Sequence, residues 1–118
     1  MKPRILIVED KQSDREALAR LLRQEDFEVS QAASPQEASA FLEEPIDLII
    51  SDLLMGENSG IDLLRLWKQR RPTTPFILIT AHGEVNSAVE AMKLGAEDYL
   101  TKPFNPRELM ARIALLLK

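Results

Sequence analysis

Two alternating patterns of apolar residues run along the chain. Five short runs are rich in branched residues: Ile5-Leu6-Ile7-Val8, Glu28-Val29-Ser30-Gln31-Ala32, Leu48-Ile49-Ile50, Phe76-Ile77-Leu78-Ile79 and Tyr99-Leu100. The first, third and fourth are continuously apolar, as strands covered on both faces of a parallel sheet must be. The second alternates and the fifth is short, which predicts edge strands. Between the runs the apolar spacing is helical: Leu18, Leu21 and Leu22; then Ile61, Leu64 and Trp67; then Val85, Ala88, Val89 and Met92; then Leu109, Ile113 and Leu116. Helix starts are marked by Ser13-Asp14-Arg15-Glu16 and Ser34-Pro35-Gln36-Glu37, both capping boxes, and by Asn105-Pro106-Arg107-Glu108. Gly95 follows Leu94 where a helix C′ residue belongs.

Strict alternation of strand and helix predicts an α/β fold, a doubly wound five-stranded parallel sheet with helices on both faces. At 118 residues the chain fits one domain, spanning 1–118. It stops at Lys118, just after the last helical pattern, which leaves two readings open: a domain that works alone, or the N-terminal fragment of a longer protein.

Composition narrows the chemistry. With no cysteine, thiolate metal sites and cysteine nucleophiles are excluded, and the single histidine, His82, rules out a histidine metal cluster. Fifteen Lys and Arg against nineteen Asp and Glu give a net charge of −4, a poor balance for direct nucleic-acid binding. The longest apolar runs, Ile5–Val8 and Ile113–Leu117, fall far short of the ~20 residues that cross a bilayer. The start of the chain lacks the pattern of a signal peptide. The expectation is a soluble cytoplasmic domain with no membrane contact.

In an open α/β sheet, ligands bind beyond the carboxyl ends of the strands. Just past those ends stand Glu9-Asp10, Asp52, Thr80 and Thr101-Lys102. Three carboxylates brought together repel one another unless a cation offsets them. Mg²⁺ is the natural partner, since it takes one or two carboxylates and keeps waters for phosphate oxygens. Lys102 adds a point charge for a phosphoryl group and Thr80 a hydroxyl. The set suits transfer of a phosphoryl group to a carboxylate.

These residues carry a resemblance. Glu9-Asp10, Asp52 with Gly60 eight residues on, Thr80-Ala81 and Lys102-Pro103-Phe104 resemble, in order and over essentially the whole chain, the receiver domain of two-component response regulators. The stretch 80–104 is most similar to receivers of nitrogen-regulator-class enhancer-binding activators. The resemblance implies a flavodoxin-like strand order 2-1-3-4-5. It implies Asp52 as phosphoacceptor, and Asp10, Asp52 and the Leu54 backbone carbonyl as Mg²⁺ ligands, with Glu9 acting through a metal-bound water. Lys102 would contact the phosphoryl oxygens ahead of a cis peptide to Pro103, while Thr80 and Tyr99 would switch. Implied partners are a sensor histidine kinase, an output domain or downstream protein in transcription regulation, and a phosphorylation-dependent homodimer. Such a domain catalyses its own modification and is not counted as an enzyme.

Three positions depart from the family pattern: Gly56 where Pro is usual, Lys11 where an acidic or amide residue is commoner, and the apolar Leu54 two residues after Asp52. Three other readings compete. A Mg²⁺-dependent hydrolase with an aspartate nucleophile needs an acid where Leu54 stands. A nucleotide-binding domain needs a Gly-rich turn where Glu9-Asp10-Lys11 stands. A contact-only relative would have no use for the intact site. For output, the fourth helix is expected to offer Ala88, Ala91 and Met92, with Tyr99 on the fifth strand turning inward behind Thr80 to reshape the surface of helix four, strand five and helix five.

Overall fold

The computed structural model describes residues 2–55, 58–81 and 85–117. The chain runs β1 (Arg4–Val8), α1 (Gln12–Gln24), β2 (Glu28–Ala32), α2 (Pro35–Ser39), β3 (Leu48–Asp52), β4 (Leu54–Met55), β5 (Asn58–Ser59), α3 (Gly60–Arg70), β6 (Phe76–Thr80), α4 (Val85–Lys93), β7 (Asp98–Thr101) and α5 (Pro106–Leu116). β4 and β5 form a small antiparallel ribbon after β3; the main sheet is parallel, in the order β2-β1-β3-β6-β7. Counting its own five strands, that is 2-1-3-4-5, with the alternating and the short run at the edges as expected.

Pleating sorts the strand residues between two cores. Leu6, Val8, Ile49 and Leu78 point to one face and pack with Ala38, Leu63, Leu64, Trp67 and Ala91 from α2, α3 and α4. Ile5, Ile7, Leu48, Ile50, Ile77 and Ile79 point to the other and pack with Leu18, Leu22, Leu109 and Ile113 from α1 and α5. Both faces are covered, which is why these runs are continuously apolar.

Local signals held at some helix ends and failed at others. Ser34 Oγ accepts from the Glu37 N–H, while the Ala33 N–H donates to Glu37 Oε1, and Asn105 accepts from the Arg107 N–H. The box at Ser13 does not form. α1 begins at Gln12 with Lys11 as its N-cap and no side-chain cap, and Glu16 pairs with Gln12 instead. Gly95 sits at φ 113° and closes α4, with the Ala96 N–H bonded to the Ala91 carbonyl.

α4 differs from expectation in which face it buries. Ala88 and Ala91 are fully buried against the sheet, while Val89 and Met92 are exposed. Small residues let the helix approach the sheet closely, so Ala88 and Ala91 cannot serve an outer surface and Val89 and Met92 can. Gly56 and His82 lie outside the described residues. Among those described, no helix is long and apolar enough to cross a membrane.

Candidate functional site

Sheet register assembles the site. Val8 pairs with Ser51, Asp52 with Ile79, and Thr80 with Thr101. Glu9 and Asp52 therefore finish level with Ile79, with Thr80 one residue further and Lys102 two, so all four gather at the carboxyl edge. β3 runs through Asp52 and β6 through Thr80, so these two close their strands instead of following them.

One carboxylate oxygen from each of Glu9, Asp10 and Asp52 lies within 4.8 Å of the others. Glu9 is buried, Asp52 mostly buried and Asp10 exposed. Lys102 reaches into this group: its ammonium donates to Glu9 Oε1 at 2.9 Å and to Asp52 Oδ2 at 3.0 Å. Burial works against the lysine's charge, but the hydrogen bonds and charges of Glu9 and Asp52 outweigh it and hold the pKa above the ordinary lysine value. Among the described residues, the Asp10 side chain makes no hydrogen bond or ion pair and stays free to take a ligand. A cluster of carboxylate oxygens, with one donor uncommitted, fits a hard divalent cation such as Mg²⁺.

Thr80 is fully buried, and its Oγ1 finds no hydrogen-bond partner among the described residues. A hydroxyl left in that state costs roughly 1–3 kcal/mol, an energy recoverable if an acceptor arrives. The Lys102 N–H donates to the Thr80 carbonyl at 2.7 Å, tying the two strand ends together, and a cis peptide joins Lys102 to Pro103. Tyr99 is half-buried and packs against the core beneath α3 and α4. Leu54 lies on β4 with its side chain half-exposed.

Gly60 carries a steric reason for its place. A Cβ there would stand 2.3 Å from the Asp52 carbonyl oxygen, and the Gly60 N–H donates to the Leu53 carbonyl at 2.7 Å. Only a residue without a side chain lets α3 start this close behind Asp52.

Several contributors escaped the sequence reading. Asp14 Oδ2 approaches Lys102 Nζ to 3.9 Å, Arg15 donates to the Glu9 carbonyl, and Ser51 donates to the Asp52 carbonyl. Asp14 and Arg15 sit in the first turn of the helix that follows β1, a location that faces the strand ends in this fold. Lys11 contributes its backbone N–H to Glu9 Oε2, while its side chain is exposed. Beside the site, between α1 and the β7–α5 connection, lies a cavity of about 660 Å³ with apolar walls and with Asp52 and Lys102 in its lining.

The fold and site together define a class, and comparison with known proteins agrees. The family model described as "Response regulator receiver domain" matches residues 5–114. The transcriptional regulatory protein CpxR of Klebsiella pneumoniae is 41% identical over 115 residues, covering 98% of this chain and 49% of that protein. Among solved structures, a response regulator receiver domain protein from Clostridium thermocellum superposes with a TM-score of 0.93 at 34% identity, covering 98% of this chain and 94% of that one. The receiver domain of NtrX from Brucella abortus gives 0.90 at 29% identity, covering 96% and 97%. The chain belongs to the response regulator receiver domain family. It spans about half the length of the curated relatives it matches.

Proposed function

We propose that Asp52 is the phosphoacceptor and that Glu9, Asp10, Asp52 and the Leu54 carbonyl hold Mg²⁺, Glu9 through a water. The observation that carries this reading is the meeting of three carboxylates within 4.8 Å of one another, two of them, Glu9 and Asp52, bridged by the Lys102 ammonium. When bound, Mg²⁺ supplies charge neutralisation that lets a phosphate group approach three carboxylates. An oxygen of Asp52 attacks phosphorus while the donor's bond to phosphorus breaks and its electron pair departs with the leaving group. Lys102 moves from its carboxylate partners to the phosphoryl oxygens, and the Thr80 hydroxyl gains an acceptor. The domain modifies itself once and is not a turnover enzyme.

In this reading a sensor histidine kinase is the donor. The recipient of the signal is an output domain or partner in transcription regulation, and the setting is cytoplasmic. The Thr80 shift opens space behind it for Tyr99, which couples Asp52 to the surface of α4, β7 and α5. Val89 and Met92, exposed on α4, give that surface an apolar part on which a phosphorylation-dependent homodimer can form. A nitrogen-regulator-class affiliation rests on residues 80–104 and on the likeness to the NtrX receiver, whereas the higher identity to CpxR weighs toward that regulator's class. The gene sequence surrounding this segment decides between them.

Incubation with Mg²⁺ and acetyl phosphate, followed by intact mass, tests the central claim. One adduct of about +80 Da is expected in wild type, and none in Asp52→Asn. Turnover without an adduct would instead point to a hydrolase. Beryllofluoride with Mg²⁺ should shift sedimentation toward dimer in wild type and less so in Thr80→Ala.

A further inference from the structure

Asp14 has no part in the phosphoacceptor chemistry above, yet it stands at the same cation. Its Oδ2 is 3.9 Å from Lys102 Nζ, just outside Glu9 at 2.9 Å and Asp52 at 3.0 Å. Those two carboxylates are nearly buried, but the Asp14 side chain is 47% exposed. It comes from the first turn of α1 and lines the cavity beside Asp52, whose walls are Leu18 and Leu21 on one side and Phe104 and Pro106 on the other. A small phosphodonor seated in that cavity meets apolar walls and one carboxylate more than metal binding and attack require. Fixed negative charge at the mouth of a site acts on charged reactants over several ångströms and is weakened by salt.

We infer that Asp14 is a specificity-determining residue for the phosphodonor: it disfavours donors whose leaving group departs as an anion and tolerates donors whose leaving atom is a protonated nitrogen. This rests on the reading of Asp52 as phosphoacceptor. In every case an Asp52 carboxylate oxygen forms the new bond to phosphorus. With acetyl phosphate the P–O bond breaks, its electron pair leaves with the oxygen, and acetate carries away one negative charge. With phosphoramidate, whose nitrogen is already protonated at neutral pH, the P–N bond breaks, the pair stays on nitrogen, and neutral ammonia departs with no proton needed from the protein. Asp14 repels the dianionic acyl phosphate and the acetate it releases. Toward phosphoramidate, its attraction for the ammonium end offsets its repulsion of the phosphoryl end.

The test follows adduct formation by intact mass with Mg²⁺ and each donor in turn, at low and high ionic strength, for wild type, Asp14→Asn and Asp14→Glu. At low ionic strength Asp14→Asn should raise the acetyl phosphate rate about three- to fivefold. It should leave the phosphoramidate rate level or lower. Asp14→Glu should keep the wild-type ratio of the two rates, and high salt should close the gap between wild type and Asp14→Asn. The rise in melting temperature produced by Mg²⁺ should be the same in Asp14→Asn as in wild type. An equal change for both donors, no change for either, a gap that survives high salt, or a lost Mg²⁺ response would each overturn the inference while the adduct itself upheld Asp52. If wild type forms no adduct with either donor, the phosphoacceptor reading falls, and this inference falls with it.

Discussion

Asp52→Asn removes one charge from the site with almost no change of shape, and the geometry sets the size of the effect. Asp52 Oδ2 is 3.0 Å from the Lys102 ammonium, while carboxylate oxygens of Asp52, Glu9 and Asp10 lie within 4.8 Å of one another. At an effective dielectric of ~20, the attraction to Lys102 is ~5.5 kcal/mol and each of the two repulsions is at least ~3.5 kcal/mol. Repulsion thus exceeds attraction by about 1.5 kcal/mol. Solvent at the exposed Asp10 and at Lys102 reduces both sides. Neutralising a side chain only 13% exposed also relieves its desolvation, and the Asn amide oxygen still accepts from Lys102. Without Mg²⁺ the variant should therefore be more stable than wild type by about 1–2 kcal/mol. That corresponds to a melting temperature higher by roughly 3–10 °C. Mg²⁺ acts in the opposite sense, stabilising wild type by mass action and Asp52→Asn much less, so the gap should narrow and then reverse as Mg²⁺ is added. Urea titrations in EDTA and in Mg²⁺ read both quantities through Trp67, the single tryptophan, which is buried in the native state. A variant less stable than wild type in EDTA would show that the Lys102 pair outweighs carboxylate repulsion, refuting the electrostatic balance drawn here. Equal Mg²⁺ increments in the two proteins would count against metal binding by this cluster.

Other substitutions probe neighbouring features. Thr80→Val replaces a buried hydroxyl that has no partner among the described residues with a methyl and should stabilise the protein by about 1 kcal/mol. The same variant should lose amide shifts at 86–92 and at Tyr99 when beryllofluoride and Mg²⁺ are added; an unchanged NMR response would sink the Thr80 relay. Gly60→Ala forces a Cβ against the Asp52 carbonyl and should cost about 1–3 kcal/mol in urea while slowing adduct formation, and wild-type behaviour in both would show that the helix start yields freely. Lys68→Met removes an ammonium that holds both Glu97 oxygens and the Thr74 carbonyl at the opposite end of the sheet. It should destabilise by about 1–2 kcal/mol with no change in phosphorylation rate, and a slower rate would mean that this end of the sheet is coupled to the site.

Runs such as Ile5–Val8 and Phe76–Ile79 announced themselves in sequence because a strand covered on both faces can spare no polar position, and that continuity is visible one residue at a time. The caps at Ser34 and Asn105 were legible for a similar reason: their bonds reach only two or three residues along the chain. Once strands and a parallel sheet are granted, the placement of Glu9, Asp52, Thr80 and Lys102 at one edge follows, since strand ends are where such a sheet presents side chains. What the chain order could not reveal depends on neighbours distant in sequence. α1 starts ahead of Ser13 although the Ser13 box reads well, with Arg15 held by the Glu9 carbonyl. The choice of Ala88 and Ala91 over Val89 and Met92 as the inner face of α4 was decided by how closely that helix must approach the sheet, since both stripes have helical spacing. Asp14 became part of the site, and Lys102 the shared partner of carboxylates 93 and 50 residues away, only when parallel pairing brought the ends of β1, β3 and β7 to one edge of the sheet with α1 packed against it. Composition and period mark the apolar face of an element where one stripe stands out, as in the strands but not in α4; the balance of charge at the strand ends is a property of distances, and distances between separate elements exist only in the folded chain.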